Sequence, residues 1–426
     1  MNQSFSTAWT KTELIIFRFA FCYLILYFVF LGSAFQVFLP FLQKFQFNTP
    51  FQYISDVFVG LVNRLFIQQK FADNIYKGDG DTSWFYIAIF SYFLLAVLVT
   101  IVWTLFAKRT NYLFLFICVY TFARYYLAFI LFGYGFGKLF GAQFFDPQPT
   151  YLMQPLGNID SHTLLWTFMG ASKAYNYFGG LMETIPAVLL LFRRTASLGA
   201  FLAIATLTNV LLLNIGYDTL VKWLSAHLIL IALFIISPDI KRVFNFFFLN
   251  KNTSLTTIVL PAINKKIRLI QYGLKYILIA YAVFSSIKLS VEIKENYSKP
   301  YFGNIDGIYD IEKFYRSQPN QSTIPNDAMH WRKIGINKFG EIAIQYTNDS
   351  VIYRSIEIDT VTKSLALSSW NDSTFKCNLS YTINGSNEYV FEGNYKKDSI
   401  RFSAKKMNLQ SYPLLKGKGK IKWVWW

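Results

Sequence analysis

Four strongly polar side chains interrupt long apolar runs of this sequence, and they are the first candidates for chemistry. They are Arg124, Glu183, Asn209 and His227. An ionisable group within a bilayer is energetically costly and is by default a candidate for a ligand or proton site. Counted at about 1.5 Å per residue from the same-side end of each run, all four lie roughly 15–21 Å deep. We therefore predict that they meet in one polar layer near the bilayer centre.

The spacing of the polar residues around Arg124 and Glu183 places each set on one helix face, because positions three or four apart are neighbours on a helix. One set is Lys173, Asn176, Gly180 and Glu183, and the other is Arg124, Ala128, Leu131, Gly135 and Lys138. Small residues in both sets would let the two helices approach closely. We predict an Arg124–Glu183 ion pair, with Lys138 and Lys173 lining a path toward the outer membrane face.

Each of these features also has an alternative interpretation. A buried Arg–Glu pair can serve only to fix helix packing, and we keep that hypothesis beside the ligand or proton site. A single histidine such as His227 more often forms its hydrogen bonds within the protein core than it binds a ligand. Pro186 can kink its helix, or it can leave a carbonyl near residue 182 open to a polar ligand.

Composition and run length indicate the elements that would carry these residues. The chain has 426 residues, of which 54% are hydrophobic and 15% charged, against about 25% charged in soluble proteins. Runs of about 20 apolar residues can span a bilayer as helices. We predict an α-helical polytopic membrane domain over residues 1–290, with about seven transmembrane helices. They lie near 14–38, 84–106, 112 to between 132 and 138, a segment that begins as early as 162 and ends at 192, 197–213, 221–236 and 271–290.

The charge distribution predicts membrane topology rather than nucleic-acid binding. The formal net charge is +17, but the basic residues occur mainly in pairs beside apolar runs, and no basic stripe or nucleic-acid-binding fold accompanies them. Under the positive-inside rule, pairs such as Lys108-Arg109 and Arg193-Arg194 favour a cytoplasmic N-terminus and an external C-terminal domain. The first apolar run is too long for a signal peptide. The lipid bilayer is therefore the expected partner.

The pattern of apolar and polar residues changes near residue 291. Apolar and polar residues alternate at 308–311, 341–344, 355–358 and 399–402, with turn signals between them. This pattern predicts an all-β antiparallel barrel or sandwich over residues 291–426. Trp423, Trp425 and Trp426 at the end of the chain either pack into this domain or touch the membrane interface, and core packing is the commoner role of such residues.

Cysteine and histidine patterns do not indicate a metal or dithiol site. The three cysteines include no CxxC pair, so a self-contained dithiol centre is not expected. The three histidines are widely separated and do not match zinc-ligand spacing. We predict no metal site.

Two segments resemble the DoxX family of membrane proteins. The segment from Arg124 to Lys138, ending in Gly135-Phe-Gly-Lys138, resembles that family's Arg…Gly…Gly-x-x-Lys helix. Gly179-Gly-Leu-Met-Glu183, followed by the basic turn at Arg193-Arg194, resembles its Glu-bearing helix. The resemblance covers about residues 110–240.

The DoxX resemblance implies a four-helix membrane core. Some relatives are small subunits of quinone-linked oxidoreductases, and the resemblance also implies a wider relationship to the membrane domain of vitamin K-dependent carboxylase. This chain departs from the minimal family by its extra N-terminal helices, its seventh helix, its β-domain and the lack of a cysteine pair near the core. The larger plan resembles DoxX-like proteins of Bacteroidetes-type bacteria, which implies a bacterial inner membrane.

Three functional hypotheses follow. The first is an accessory or binding subunit that holds a quinone or lipid-like ligand, while the external β-domain recruits a protein partner or shields the entrance. Its candidate ligand-binding residues are Arg124, Lys138, Lys173, Asn176, Glu183, Asn209 and His227. The second is a membrane-embedded enzyme or oxidoreductase subunit acting on an envelope substrate, with Lys138 or Lys173 as base. The third is a transport-related or structural component, although no internal repeat is evident.

Overall fold

In the computed structural model, the long helices lie between Lys11 and Ser298 and the strands between Gly307 and Lys406. The structure describes residues 9–38, 49–69, 80–253, 264–299, 305–317, 330–369, 372, 374–385, 387–396 and 398–415. The helices in these ranges are α1 (Lys11–Leu26), α2 (Ala34–Phe38), α3 (Thr49–Val62), α4 (Ser83–Phe106), α5 (Leu113–Leu139), α6 (Pro149–Leu152), α7 (Ser161–Ala171), α8 (Lys173–Leu190), α9 (Ala196–Gly216), α10 (Lys222–Ile236), α11 (Ile240–Leu249) and α12 (Lys265–Ser298).

The chain divides into two compact units. The helical unit comprises Met1–Phe140 and Tyr177–Val291, and the barrel unit comprises Gly141–Asn176 and Glu292–Trp426. One of the division points follows Val291. The segment 141–176, which we assigned to the helical domain, groups instead with the barrel unit.

Six helices among the described residues are long and apolar enough to cross a membrane. They are Lys11–Leu31, Ser83–Phe106, Leu113–Leu139, Ala196–Gly216, Lys222–Leu249 and Lys266–Ser298. The fourth helix that we predicted, near 162–192, is not continuous. Ser172 takes an extended backbone conformation between α7 and α8, so α8 has only 18 residues.

Local capping explains where several helices begin. Thr10 and Glu13 form a reciprocal capping box at the start of α1, which satisfies two backbone N–H groups. Thr82 caps α4 by accepting a hydrogen bond from the Phe85 N–H. The Asp81 carboxylate instead accepts from the Lys222 N–H at 2.7 Å. That contact places a negative charge at the N-terminus of α10, where the helix dipole favours it.

The core of the helical unit is built around α5. Ala123, Tyr126, Leu127 and Ala128 of α5 are fully buried. The four consecutive residues 126–129 are buried, so α5 is enclosed around most of its circumference at this level, and α1, α2 and α10 pack against it. The polar residues of α5 are positioned by this core.

Eight antiparallel strands form a closed barrel in which each strand pairs with the next and β8 returns to β1. The strands are β1 (Gly307–Ser317), β2 (Trp331–Ile336), β3 (Glu341–Tyr346), β4 (Val351–Asp359), β5 (Ser364–Ser368), β6 (Lys376–Asn384), β7 (Glu388–Tyr395) and β8 (Asp398–Lys406). Between the two predicted architectures, barrel and sandwich, the structure therefore shows the barrel. The terminal tryptophans Trp423, Trp425 and Trp426 lie outside the described residues.

The barrel interior is filled by side chains. Phe391 and Phe402 are fully buried and stack with ring centroids 4.8 Å apart. Cys377 is also buried inside the barrel, and burial raises the pKa of its thiol to about 12. Because the thiolate is the nucleophile, this cysteine is chemically inert at neutral pH.

The segment that precedes α7 packs on the outer wall of the barrel. Met153 shares a buried cluster with Ile308 and Ala343, whose strand neighbours Tyr309 and Ile344 belong to the barrel core. This inside–outside alternation follows from the two-residue period of a strand. A methyl group on Gly335 would lie 2.4 Å from the Met153 sulfur, so a glycine on β2 makes the close approach possible.

Candidate functional site

The candidate site lies where α5 and α8 approach most closely. A Cβ atom on Gly135 would lie 2.4 Å from Thr184 Oγ1 and 3.0 Å from the Gly180 carbonyl oxygen. A Cβ atom on Gly180 would lie 2.8 Å from the Gly135 carbonyl oxygen. Two glycines that face each other therefore allow the helix backbones to come together. The small residues in both sets of helix positions predicted this close approach.

A buried ion pair links the same two helices. Lys138 Nζ donates to Glu183 Oε1 at 2.8 Å and to Glu183 Oε2 at 2.6 Å. The Lys138 side chain is 8% exposed and the Glu183 side chain 4%. Lys138 occupies the last turn of α5, where the helix dipole favours a cation. The Lys138 side chain also runs beside α8, because a Cβ atom on Gly179 would lie 3.4 Å from Lys138 Cδ, an ordinary van der Waals contact.

The Arg124–Glu183 pair that we predicted is wrong, because Arg124 has a different partner. The Arg124 guanidinium donates to the Leu190 carbonyl oxygen through Nε at 3.0 Å and through a terminal nitrogen at 2.8 Å. Leu190 is the last residue of α8. Arg124 therefore caps the negative end of that helix, a role that stabilises carbonyls left without partners within the helix.

The predicted Arg124–Glu183 pair was wrong because we placed the cytoplasmic ends of α5 and α8 at the same depth. Arg124 lies about 17 Å along α5 from its first residue, yet it meets the final carbonyl of α8. The short α8 thus ends level with Arg124 rather than with the start of α5. Glu183, about 10 Å further along α8 from Leu190, is consequently displaced toward Lys138.

Pro186 leaves the carbonyl of Met182 without its helical partner, but a side chain supplies one. Thr206 Oγ1 of α9 donates to the Met182 carbonyl oxygen at 3.0 Å. A proline four residues later cannot make that bond, because it has no N–H. The carbonyl that we considered available to a ligand is therefore satisfied by α9.

His227 has two hydrogen bonds of its own. Its Nδ1 lies 2.7 Å from the Trp223 carbonyl oxygen and its Nε2 lies 2.8 Å from the Tyr23 hydroxyl. Because a carbonyl can only accept, Nδ1 carries the proton, and the Tyr23 hydroxyl can donate to Nε2. The ring also stacks on Tyr27 with centroids 4.4 Å apart. This is the satisfied core histidine of the alternative interpretation.

The other predicted site residues differ in exposure. Lys173 and Asn209 are exposed, whereas Asn176 is buried. Asn176 Oδ1 has no hydrogen-bond partner among the described residues. Asn209 therefore does not join a buried polar layer, and of the seven predicted residues Lys138 and Glu183 are the two in direct ionic contact.

Sequence reasoning missed two polar residues of the helical unit. The Thr184 hydroxyl is buried beside Gly135 and makes no hydrogen bond within the described part of the chain. Arg18 is buried at 3% exposure on α1. Arg18 could have been found as an ionisable residue inside the first apolar run, but Thr184 carries no signal beyond its position next to Glu183.

The arrangement around Glu183 offers both hydrogen-bond donors and acceptors. The Lys138 ammonium supplies donors, the Glu183 carboxylate supplies acceptors, and the Thr184 hydroxyl supplies either. Among the described residues no group of three or more His, Cys, Asp or Glu side chains is placed to hold a metal ion. The donors and acceptors of Lys138, Glu183 and Thr184 suit recognition of a polar group.

Membrane-capable helices around a buried ion pair fit an integral membrane protein. Comparison with known proteins makes the relationship more specific. The chain is 36% identical over 124 residues to the uncharacterized protein YwoB of Bacillus subtilis (strain 168), an alignment that covers 29% of this chain and 79% of YwoB. The chain therefore belongs to the same family as YwoB. No family model and no solved structure matches it.

Proposed function

We propose that this protein is a DoxX-like integral membrane protein that holds a quinone or lipid-like amphiphile against the Lys138–Glu183 pair. One observation carries the proposal: both members of an ion pair between α8 and the membrane-capable helix α5 are almost fully buried. Burying two charges is costly, and packed apolar residues would often serve stability equally well. The presence of the Lys138–Glu183 pair is readily explained if the two charges contact a polar group of a ligand.

The available groups match the headgroup of such a ligand. A quinone carbonyl accepts hydrogen bonds, as the Lys138 ammonium and Thr184 hydroxyl can donate, and a quinol or lipid hydroxyl can donate to Glu183. Thr184 Oγ1 still lacks a partner among the described residues. The apolar faces of the surrounding helices would accommodate the tail of an amphiphile.

The sequence resemblance and the charge pattern supply the remaining parts of the proposal. The Arg124–Lys138 and Gly179–Glu183 segments resemble DoxX helices, which supports a bacterial inner membrane. Counting α8 as a crossing adds a seventh span to the six long apolar helices. An odd number of crossings with the basic pairs inside gives a cytoplasmic N-terminus and a periplasmic barrel unit, where a protein partner could bind.

Native mass spectrometry of the full chain, purified gently from its own membranes, tests the ligand. We expect the wild type to carry a quinone or lipid adduct that Glu183→Gln loses. Asp218→Asn is the matched control, because Asp218 also pairs with a lysine, Lys222, at 2.7 Å but has an 85% exposed side chain. An adduct that survives Glu183→Gln, or a wild type without one, would refute the ligand site.

Cysteine labelling of intact cells tests the orientation separately. In a background with Cys22, Cys118 and Cys377 replaced by alanine, single cysteines would be placed at Val361 and Arg109. Val361 is 90% exposed, and Arg109 is also exposed. We expect a membrane-impermeant maleimide to reach Val361→Cys from outside and to reach Arg109→Cys only after permeabilisation. The opposite pattern would reverse the proposed topology.

A further inference from the structure

A second feature of the helical unit is a groove at the turn between α4 and α5, at the opposite end of α5 from Lys138. The groove has a volume of about 480 Å³. Its lining includes Val102, Trp103, Phe106, Lys108, Arg109 and Tyr112. Lys108, Arg109, Val102 and Phe106 are exposed. One part of the groove is therefore cationic and another part apolar.

A buried cation lies behind this groove. The Arg18 guanidinium is centred 5.3 Å from the centroid of the Tyr112 ring and donates to the Tyr112 hydroxyl at 3.3 Å and to Thr104 Oγ1 at 3.0 Å. Both partners are neutral. Within the described part of the chain, Arg18 has no ion-pair partner, and its Nε has no hydrogen-bond acceptor. The positive charge of Arg18 is thus uncompensated there, which favours an anion nearby.

The hydrogen-bond polarity of Tyr112 points to the same kind of ligand. The Tyr112 hydroxyl oxygen accepts from Arg18 at 3.3 Å and from Trp103 Nε1 at 3.1 Å. A phenolic oxygen that already accepts twice still has its own proton to donate. Together with Lys108 and Arg109, the polar groups of the groove are therefore predominantly donors. Such a site suits the oxygens of an anionic group.

We propose that this groove binds an anionic glycerophospholipid of the surrounding membrane. The phosphate would meet Lys108, Arg109 and the Tyr112 hydroxyl, and an acyl chain would lie along Val102 and Phe106. Basic pockets between membrane helices are suited to anionic lipid headgroups, and tryptophan and tyrosine favour the interface depth at which headgroups lie. The combination of charged and apolar lining favours a lipid over free phosphate.

Lipid titration of the full chain in a non-ionic detergent, followed by native mass spectrometry, tests this site. The probes are dioleoyl phosphatidylglycerol and dioleoyl phosphatidylcholine. A cation near an anionic lipid strengthens binding by about fivefold, so we expect a clear preference of the wild type for the first bound phosphatidylglycerol. The double variant Lys108→Gln/Arg109→Gln should lose most of that preference.

The matched control is Lys266→Gln/Arg268→Gln, which removes two exposed basic residues at the start of α12. It should keep the preference for the first phosphatidylglycerol. Equal losses in both double variants would mean diffuse charge attraction and would overturn the site, as would equal binding of the two lipids by the wild type. Displacement of the first phosphatidylglycerol by excess inorganic phosphate would overturn the choice of a lipid. All variants replace exposed side chains, so folding is expected to be unaffected.

Discussion

At the scale of single residues, the Lys138–Glu183 pair allows stability and ligand binding to be separated. Lys138→Met would leave a buried carboxylate without its cation, so we expect the free energy of unfolding to fall by about 3–5 kcal/mol. The double variant Lys138→Met/Glu183→Met removes both charges and should recover much of that loss. Thermal unfolding of the full chain in detergent would measure the difference.

The ligand content of that double variant is the informative control. If the ion pair only fixes helix packing, a stable double variant should carry the same adduct as the wild type. Our proposal expects the double variant to be stable and to lack the adduct. Recovery of both stability and adduct would show that the pair has only a structural role.

A substitution of Arg124 should reduce stability but leave the adduct bound, because Arg124 contacts the end of α8 rather than Glu183. Arg124→Met removes two hydrogen bonds to the Leu190 carbonyl, and we expect a loss of about 2 kcal/mol in the free energy of unfolding. The amphiphile adduct should remain in the fraction that stays folded. Complete loss of the adduct from folded Arg124→Met protein would place Arg124 in the ligand site after all.

At the scale of elements, the closest approach of α5 and α8 depends on two glycines. We expect Gly135→Ala to push the helices apart, because the added methyl group would lie 2.4 Å from Thr184 Oγ1 and 3.0 Å from backbone. Overpacking of this kind costs about 1–3 kcal/mol, and the Lys138–Glu183 geometry should change with it. The temperature of thermal unfolding and the occupancy of the adduct should both decrease.

Gly133 provides the matched control on the same helix. A Cβ atom there meets nothing within 4 Å, so Gly133→Ala should be neutral or should stabilise the helix by about 0.5–1 kcal/mol. Equal effects of Gly133→Ala and Gly135→Ala would show that helix propensity, rather than the helix contact, determines the result.

Glu341, the first residue of β3, has a carboxylate that should make the barrel unit sensitive to pH. Burial raises the pKa of Glu341, although hydrogen bonds from Thr150 and Asn337 oppose the shift. The folded state therefore holds this proton more tightly than the unfolded chain does. The contribution of Glu341 to stability is greatest below the ordinary carboxyl pKa and declines as the pH rises through the raised value.

We therefore expect Glu341→Gln to slow hydrogen exchange in β2 and β3 relative to the wild type, and increasingly so from pH 4 toward pH 7. The effect should stay below about 1 kcal/mol, because a half-buried carboxyl keeps part of its hydration. Glu357→Gln, at an exposed position of β4, should show no such trend. A difference between wild type and Glu341→Gln that is constant with pH would contradict the assignment.

At the scale of the whole molecule, the sequence predicted the elements better than their contacts. Hydrophobic run length located the six membrane-capable helices, and two-residue alternation located four of the eight strands, β1, β3, β4 and β8. Both are local signals. The offset between α5 and α8 depends on where α8 ends, and the break at Ser172 that shortens it has no strong local signature. The partner predicted for Glu183 was consequently wrong, even though Gly180 and Glu183 do both face α5.

The choice between barrel and sandwich was open for a related reason. It depends on whether β8 pairs with β1, a contact between residues such as Phe314 and Phe402 that are far apart in sequence. Likewise, nothing local predicts that the segment around Met153 packs on Ile308 and Ala343. Contacts of this kind arise from the complementarity of completed surfaces, which a single sequence does not display.

The two units have separate hydrophobic cores, which predicts separate responses to core mutation. Phe391 is fully buried in the barrel core, and Phe391→Ala should cost about 3–5 kcal/mol in local stability. In hydrogen exchange measured by mass spectrometry, peptides from β7 and β8 should exchange faster, while peptides from α5 and α8 and the amphiphile adduct remain unchanged. Val361→Ala, at a 90% exposed position, should alter neither unit. Faster exchange in α5 together with loss of the adduct would instead mean that ligand binding in the helical unit depends on an intact barrel.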